Sequence, residues 1–246
     1  MDYKFLILGV IVCFSCIQLI EVMSFIARIS GVKENKRSLA YSLQNAIFML
    51  TRFFTLALMP LLGFLIDQGI NKHHYLIMVL SSLLGGALLA SVAYMLKESI
   101  IYVFSKVINN ISNGSGVFKE ILFVPIYFFK DKNINEKIKV KYYKDIFLSS
   151  AIVFSIYSLS VFMVFYIALF FPDYRTMISQ LSGVTNALAT VLLTFFIEPK
   201  ISRTIDNNID TKSSIDMLFS LILGRIFGVF FISGLIVLII LLFEIL

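Results

Sequence analysis

Six stretches of mostly apolar residues, separated by shorter polar segments, dominate the pattern along the chain. Each is about as long as the ~20 residues that a helix needs to cross the bilayer core. None shows the alternating ten-residue pattern of a membrane β-barrel strand. We therefore predict an all-α, polytopic membrane helix bundle of about six transmembrane helices, forming a single integral membrane domain over residues 1–246. The predicted spans are roughly 5–27, 39–66, 75–96, 146–171, 177–197 and 215–245.

The polar segment between spans 3 and 4, residues 97–145, has a pattern of its own. Apolar residues at helical spacing predict an amphipathic cytoplasmic helix, with its apolar face on the inner leaflet. The run Ser112–Gly116 predicts a turn. The apolar run Ile121–Phe129 is too short to span, so we expect it to be interfacial or re-entrant. Lysines from 130 to 144 form a basic strip suited to anionic membrane lipids. The apolar positions of the amphipathic helix are Ile100, Ile101, Phe104, Val107, Ile108 and Ile111.

Composition supports the membrane interpretation and narrows the chemistry. Hydrophobic residues make up 59% of the chain and charged residues 15%, whereas soluble domains carry about 25% charged residues. Two cysteines exclude a disulfide-rich scaffold. With two adjacent histidines, His73 and His74, and no nucleophile or phosphate-loop motif, we predict no metal site, no cofactor and no covalent chemistry.

Basic residues predict which side of the membrane each loop occupies. Loops 1, 3 and 5 carry 16 of the 21 lysines and arginines, and the opposite side carries three. By the positive-inside rule, loops 1, 3 and 5 are cytoplasmic and both termini are outside. The net charge of +6 is therefore assigned to loops that face anionic lipid, and no nucleic-acid partner is expected.

Two arginines lie inside predicted spans, where charge is costly. Arg52 lies about halfway along span 2, and Arg225 about a third of the way into span 6. A central arginine costs about 2.5–3.5 kcal/mol on insertion scales, so such residues usually face a protein interior or a wet cavity. Glu21, near the end of span 1, and Glu198, at the end of span 5, are the candidate partners for these two charges.

The same charges occur in a repeated order, which suggests two parallel helix-pair units with a site between them. Chance similarity of apolar helices is the alternative. Polar residues follow helical spacing on spans 1 and 2, and we expect both of these stripes to turn inward. Those on span 5 step by four, so they drift around the helix and are weaker evidence. The polar residues either line a site or only bond helices together. The stripes contain Ser15, Gln18, Glu21, Ser24 and Arg28 on span 1, Ser38, Ser42, Asn45, Arg52 and Thr55 on span 2, and Asn186, Thr190, Thr194 and Glu198 on span 5.

Two blocks of these residues resemble the Amj family, the bacterial lipid II flippases described as an alternate to MurJ. The first block runs from Glu21 to Asp67 and the second from Asn186 to Pro199. Two positions depart from the family pattern, with Thr51 where the family has serine and Glu198 where it has aspartate. The matching residues are Glu21, Arg28–Val32, Ser42–Asn45, Thr51, Arg52, Pro60–Gly63, Asp67, Asn186, Ala189, Thr190, Glu198 and Pro199.

The resemblance implies a non-enzymatic flippase in the bacterial cell membrane, which moves an undecaprenyl-diphosphate-linked peptidoglycan precursor from the inner to the outer leaflet. Paired arginines suit a diphosphate, because a guanidinium binds phosphate oxygens in bidentate fashion. The hypothesis is that Arg52 and Arg225 hold the diphosphate, while Glu21 and Glu198 hold the arginines when the site is empty. The predicted substrate-binding residues are Arg52, Arg225, Arg28, Asn45 and Asn186.

Two other function classes stay open from the sequence. One is a transporter of another lipid-linked glycan or another anion. The other is a non-transporting membrane scaffold in cell-wall synthesis. Neither the exact headgroup nor the oligomeric state follows from the residues.

Overall fold

The computed structural model describes residues 3–130, 138–206 and 211–245, and these residues form helices without any β-strand. Six helical segments are long and apolar enough to cross a membrane, which confirms the predicted all-α polytopic bundle. The segments cover residues 3–33, 37–67, 72–95, 144–168, 172–206 and 211–244. Several run beyond the predicted apolar windows, because backbone hydrogen bonding continues into the polar turns at the helix ends.

Eleven α-helices make up the spans and the connecting segment among the described residues. Span 1 is α1, span 2 is α2 and α3 joined at Leu50, span 3 is α4, and span 4 is α7. Span 5 joins α8 to α9 through a π-helical turn at 193–197, and span 6 joins α10 to α11 through another at 228–233. The helices are α1 (Tyr3–Lys33), α2 (Arg37–Met49), α3 (Thr51–Asp67), α4 (Lys72–Met95), α5 (Lys97–Ser112), α6 (Val117–Lys130), α7 (Lys144–Ala168), α8 (Arg175–Leu192), α9 (Glu198–Asp206), α10 (Thr211–Phe227) and α11 (Gly234–Ile245).

The spans alternate in direction, so the loops meet at two ends. Loops 1, 3 and 5 meet at one end, here called the basic end, where Lys36 Nζ donates to Asn109 Oδ1 over 2.6 Å. Loops 2 and 4 meet with both termini at the other end, here called the terminal end. There the hydroxyl of Tyr3 donates to the carbonyl oxygen of Gln68 over 3.1 Å.

Helix α1 is the centre of the bundle and packs against α2, α3, α4, α5 and α10. Small residues let α4 and α10 approach their neighbours closely. A Cβ on Gly86 of α4 would lie 2.8 Å from Gln18 Cγ. A Cβ on Gly228, the first residue of the π turn after α10, would overlap the carbonyl of Ala151 on α7. Gly86 and Gly228 therefore mark close helix contacts of the kind that small residues permit in membrane bundles.

The connecting segment differs from the expectation in what its amphipathic helix contacts. The apolar residues of α5, among them Ile100, Phe104 and Ile108, are buried against the bundle and do not lie on lipid. The apolar face of α5 is covered by protein because α5 follows α4 after Leu96 and folds back onto α1. The predicted turn contains Gly114 at φ 100°. Beyond it, the run that includes residues 121–129 is helical, as part of α6.

Helix α6 packs one face on α5 and leaves the other exposed. Between the two helices, the carboxylate of Glu120 accepts hydrogen bonds from Asn110 Nδ2 at 3.0 Å and from the hydroxyl of Tyr127 at 3.1 Å. The amide of Asn110 holds the pKa of this carboxyl below its usual value. The outer face is apolar, with exposed Phe118, Leu122, Phe123 and Ile126.

Candidate functional site

A stripe of polar side chains runs along α1 inside the bundle. Gln18, Glu21, Ser24 and Arg28 are all buried, and Glu21 is 0% exposed. They share one face because they are separated by three or four residues. The structure therefore turns this stripe inward, as its spacing predicts.

Glu21 forms an ion pair with Arg225 of α10 at mid-bundle. The Arg225 side chain is among the most buried in the described residues, with 1% exposure. Its Nη2 also donates to Gln18 Oε1 over 2.8 Å, and its guanidinium carbon lies 4.3 Å from the ring centroid of Phe154. A carboxylate, an amide and an aromatic face thus compensate one buried positive charge.

A second ion pair lies two helical turns along α1, toward the basic end. Arg28 Nη1 lies 2.8 Å from Glu198 Oε2, and Arg28 Nη2 donates to Ser202 Oγ over 3.2 Å. The ring of Tyr41 lies 5.3 Å from the Arg28 guanidinium carbon. Glu198 is placed by the π turn before it, in a region where Pro199 has no N–H to complete the helical ladder.

Glu21 pairs with Arg225, one of the two mid-span arginines, as expected, and the second pairing differs from the expectation. Glu198 was expected to serve one of the two mid-span arginines, but it pairs with Arg28. Glu198 pairs with Arg28 because both residues lie at the basic end of the bundle. The two pairs also cross between the two suggested repeat units, since Glu21 and Arg28 of the first unit meet Arg225 and Glu198 of the second.

Arg52 has a different environment. Its side chain is exposed on α3 and makes no hydrogen bond or ion pair with the residues that the structure describes. The charge of Arg52 interacts electrostatically with the phenol of Tyr157 on α7. Arg52 is therefore close enough to span 4 to interact with Tyr157, and it forms no ion pair with a carboxylate of the described residues.

Arg52 belongs to an exposed row on span 2. Ser38, Asn45 and Arg52 are seven residues apart, so they line up along one side of α2 and α3, and all three are exposed. The expectation that this stripe turns inward is wrong. Span 2 instead packs on α1 with an apolar face that includes Leu43 and Leu58.

Spans 2 and 5 are tied together at both ends, on either side of this row. At the terminal end, Arg175 Nη1 lies 3.9 Å from Asp67 Oδ1. At the basic end, Arg37 Nη1 donates to the carbonyl oxygen of Asp206 over 3.3 Å. The row at 38–52 thus begins at the junction of spans 2 and 5 and reaches mid-membrane depth, about 21 Å along the helix.

A cavity of about 220 Å³ opens at the basic end of the row, and we call it the vestibule. It contains two arginines, a phenol and two hydroxyls, which are all groups that can donate hydrogen bonds to phosphate oxygens. Its lining residues are Arg28, Val32, Arg37, Ser38, Tyr41, Ser202, Ile205 and Asp206.

The remaining predicted residues contribute less. Asn45 lies in the exposed row. Asn186 is in α8, and its side chain lies outside the part of the structure that is described. Sequence reasoning did not assign Arg37 or Ser202 to the site. Ser202 was within reach, because it lies four residues after Glu198 and so shares its helix face.

Metal-binding chemistry finds no support in the described ranges. They hold no group of three or more His, Cys, Asp or Glu side chains able to bind an ion. Cys13 and Cys16 are free thiols on α1.

Comparison with known proteins gives two matches. The family model described as "Amj: Alternate to MurJ" matches residues 14–239. A curated relative from Bacillus subtilis (strain 168), "Lipid II flippase Amj", is 25% identical over 213 residues, which cover 79% of this chain and 78% of the relative. No solved structure matches.

Proposed function

The chain belongs to the Amj family, and from this premise we propose that it flips a lipid-linked peptidoglycan precursor, lipid II, across the bacterial cell membrane. The activity is movement without covalent chemistry. Six apolar helices make the chain a multi-pass membrane protein, and the B. subtilis relative is named as a lipid II flippase.

The observation that carries the proposal is Arg52, a mid-span arginine with no partner among the described residues. A guanidinium at this depth is costly unless it faces water or an anion. A diphosphate satisfies it, because its oxygens accept the paired N–H groups of arginine. The row from Ser38 through Asn45 to Arg52 supplies further polar groups between the vestibule and mid-membrane.

The vestibule is the proposed first contact for the diphosphate. Arg28 is held there by Glu198, and phosphate oxygens would compete with that carboxylate for the same guanidinium. Release of Glu198 would weaken the attachment of α9 to α1, because the contacts of Glu198 and Ser202 with Arg28 join these two helices. Substrate binding is thereby linked to movement of span 5.

Arg225 serves a later step in this scheme. Glu21 and Gln18 occupy its guanidinium in the described state, so a diphosphate reaches it only if α10 moves away from α1. Asn186 on span 5 is the proposed counterpart of Asn45 on span 2.

Orientation follows from charge. We place the basic end in the cytoplasm, with loops 1, 3 and 5, and both termini outside. Anionic lipids of the inner leaflet face the lysines of the connecting segment. An inside-negative potential then assists outward movement of the anionic headgroup, by about 2.3 kcal/mol per charge per 100 mV.

Rescue of bacteria depleted of their essential lipid II flippase tests the proposal. The wild-type chain should restore growth, and Arg52→Gln should fail to do so while remaining inserted and folded. Arg203→Gln, at an exposed arginine on α9, is the matched control and should rescue. Growth supported fully by Arg52→Gln would remove the basis of the proposed site.

Transport of a fluorescent lipid-linked diphosphate by the purified protein in vesicles separates the alternatives. A scaffold would leave the lipid in place. A carrier of another glycan or anion would move its own substrate and not rescue the depleted cells.

A further inference from the structure

A second polar cavity, of about 600 Å³, lies at the terminal end of the bundle, opposite the vestibule. Loops 2 and 4 and the end of α11 build its walls, so it forms only when spans 2 to 6 are assembled. Its lining residues are Gly69, Ile70, Asn71, Lys72, His73, Leu169, Arg175 and Glu244.

The charge of this cavity departs from that of its surroundings. Outside the spans, the sequence places only three basic residues on this side, Lys4, Lys72 and Arg175. Two of the three line the one cavity, although they are about a hundred residues apart in the chain. The positive-inside rule disfavours lysine and arginine here, so their convergence calls for a local reason.

Neither cation is tightly neutralised. Arg175 lies 3.9 Å from Asp67, whose side chain is largely exposed. The Lys72 amine lies 3.5 Å from the ring centroid of Phe170 and forms no ion pair with the described residues. A weakly held guanidinium and an ammonium in one cavity form a site for an anion.

Glu244 makes this site a weak one. Its carboxylate lines the same cavity and contacts Tyr166, and one of its oxygens is buried with no hydrogen-bond partner in the described residues. A carboxylate opposite two cations lowers the affinity for a phosphate group without removing it. A site that binds and then lets go suits the end of a transport path.

We propose that this cavity is the release site for the diphosphate headgroup, with Lys72 and Arg175 as its cationic contacts and Glu244 as the group that limits its affinity. The proposal rests on the proposed function for its place in transport. It adds a second diphosphate site at the opposite end of the bundle from Arg28.

A tryptophan reporter measures binding directly, because the native chain contains no tryptophan. Leu169→Trp places the reporter in the cavity wall of the full chain, in phosphatidylcholine nanodiscs. Titration with inorganic pyrophosphate should give a saturable fluorescence change. Lys72→Gln and Arg175→Gln should each weaken binding roughly tenfold, and Glu244→Gln should tighten it.

Lys4→Gln is the matched control, since Lys4 is the remaining basic residue on this side and does not line the cavity. It should leave the titration unchanged. No saturable signal, or equal loss from Lys4→Gln and Lys72→Gln, overturns the site. Tightening by Glu244→Gln is an outcome that a merely structural role would not produce.

Two further experiments distinguish a lipid-linked diphosphate from an ordinary phospholipid headgroup as the ligand of this cavity. Farnesyl diphosphate should compete with pyrophosphate, and nanodiscs containing phosphatidylglycerol should not shift the titration. If phosphatidylglycerol fills the cavity instead, the release role is refuted. In the vesicle transport assay, the double variant Lys72→Gln/Arg175→Gln should move the labelled lipid more slowly than the wild type. Unchanged transport there refutes the release site alone, whereas no transport by the wild type refutes the proposed function.

Discussion

Replacing Glu21 by glutamine removes the negative charge that pairs with Arg225 and keeps nearly the same side-chain volume. Glu21 is 0% exposed and Arg225 is 1% exposed, so water cannot take over the lost role. Arg225 would retain Gln18 and the face of Phe154 as its described contacts. We expect the variant to insert but to unfold more easily.

The magnitude follows from the burial of both partners. Removing one partner of a buried ion pair costs about 3–5 kcal/mol, because the other charge is left uncompensated. For a chain of this size, 1 kcal/mol moves the unfolding midpoint by roughly 2–4 °C. The expected decrease is therefore roughly 6–20 °C.

Thermal unfolding in detergent micelles, followed by circular dichroism, measures this decrease. Glu21→Gln/Arg225→Met removes both charges and should recover most of the lost stability, since an apolar replacement of a whole buried pair is often neutral. Asp173→Asn, at an exposed carboxylate in loop 4, is the control and should unfold like the wild type.

If Glu21→Gln unfolds at the same midpoint temperature as the wild type, the Glu21–Arg225 pair does not stabilise the bundle and the reasoning is refuted. A double variant that is less stable than either single one would refute it as well. Arg52→Gln completes the comparison, because Arg52 is exposed and its loss should affect transport without lowering the midpoint.

Three further predictions concern the packing and the connecting segment. Gly228→Val should abolish folding, because its side chain would overlap the backbone of α7, whereas Gly63→Ala, with no atom within 4 Å of the added Cβ, should give wild-type folded yield on size exclusion. The lowered pKa of Glu120 means that its bond to Asn110 stabilises the α5–α6 contact above about pH 4.5 and is lost as the pH falls through the lowered value. Proteolysis of α6 should therefore rise on acidification in the wild type but not in Glu120→Gln. Phe118→Trp should be quenched by brominated lipid acyl chains if the exposed face of α6 contacts the bilayer, and unquenched, water-like emission would exclude that contact.

Much of the architecture was predictable from the sequence because the bilayer imposes a local rule. A span is recognised by the length of its apolar run, and six such runs fix the alternation of the loops. The inward stripe on α1 was predictable for a similar reason, since Gln18, Glu21 and Arg28 share one face and are costly in lipid.

Both carboxylates were predicted as ion-pair partners, but which arginine each one meets was not predictable, because spacing along one helix does not say which helix lies beside it. Glu198 meets Arg28 because the π turn and α9 place it at the basic end, and that placement depends on how spans 5 and 6 pack. The row that contains Arg52 was expected inside, yet it is exposed because the apolar face of span 2 is the one that covers α1.

Hydropathy and helical periodicity act over a few turns, so the residues alone were enough to show a six-span membrane protein with charges inside its spans. How those charges are used depends on how the helices pack. The packing gave Arg225 a partner, left Arg52 without one in the described residues, and brought Lys72 and Arg175 into one cavity. Each outcome depends on contacts between residues far apart in the chain, which the packing of whole helices creates.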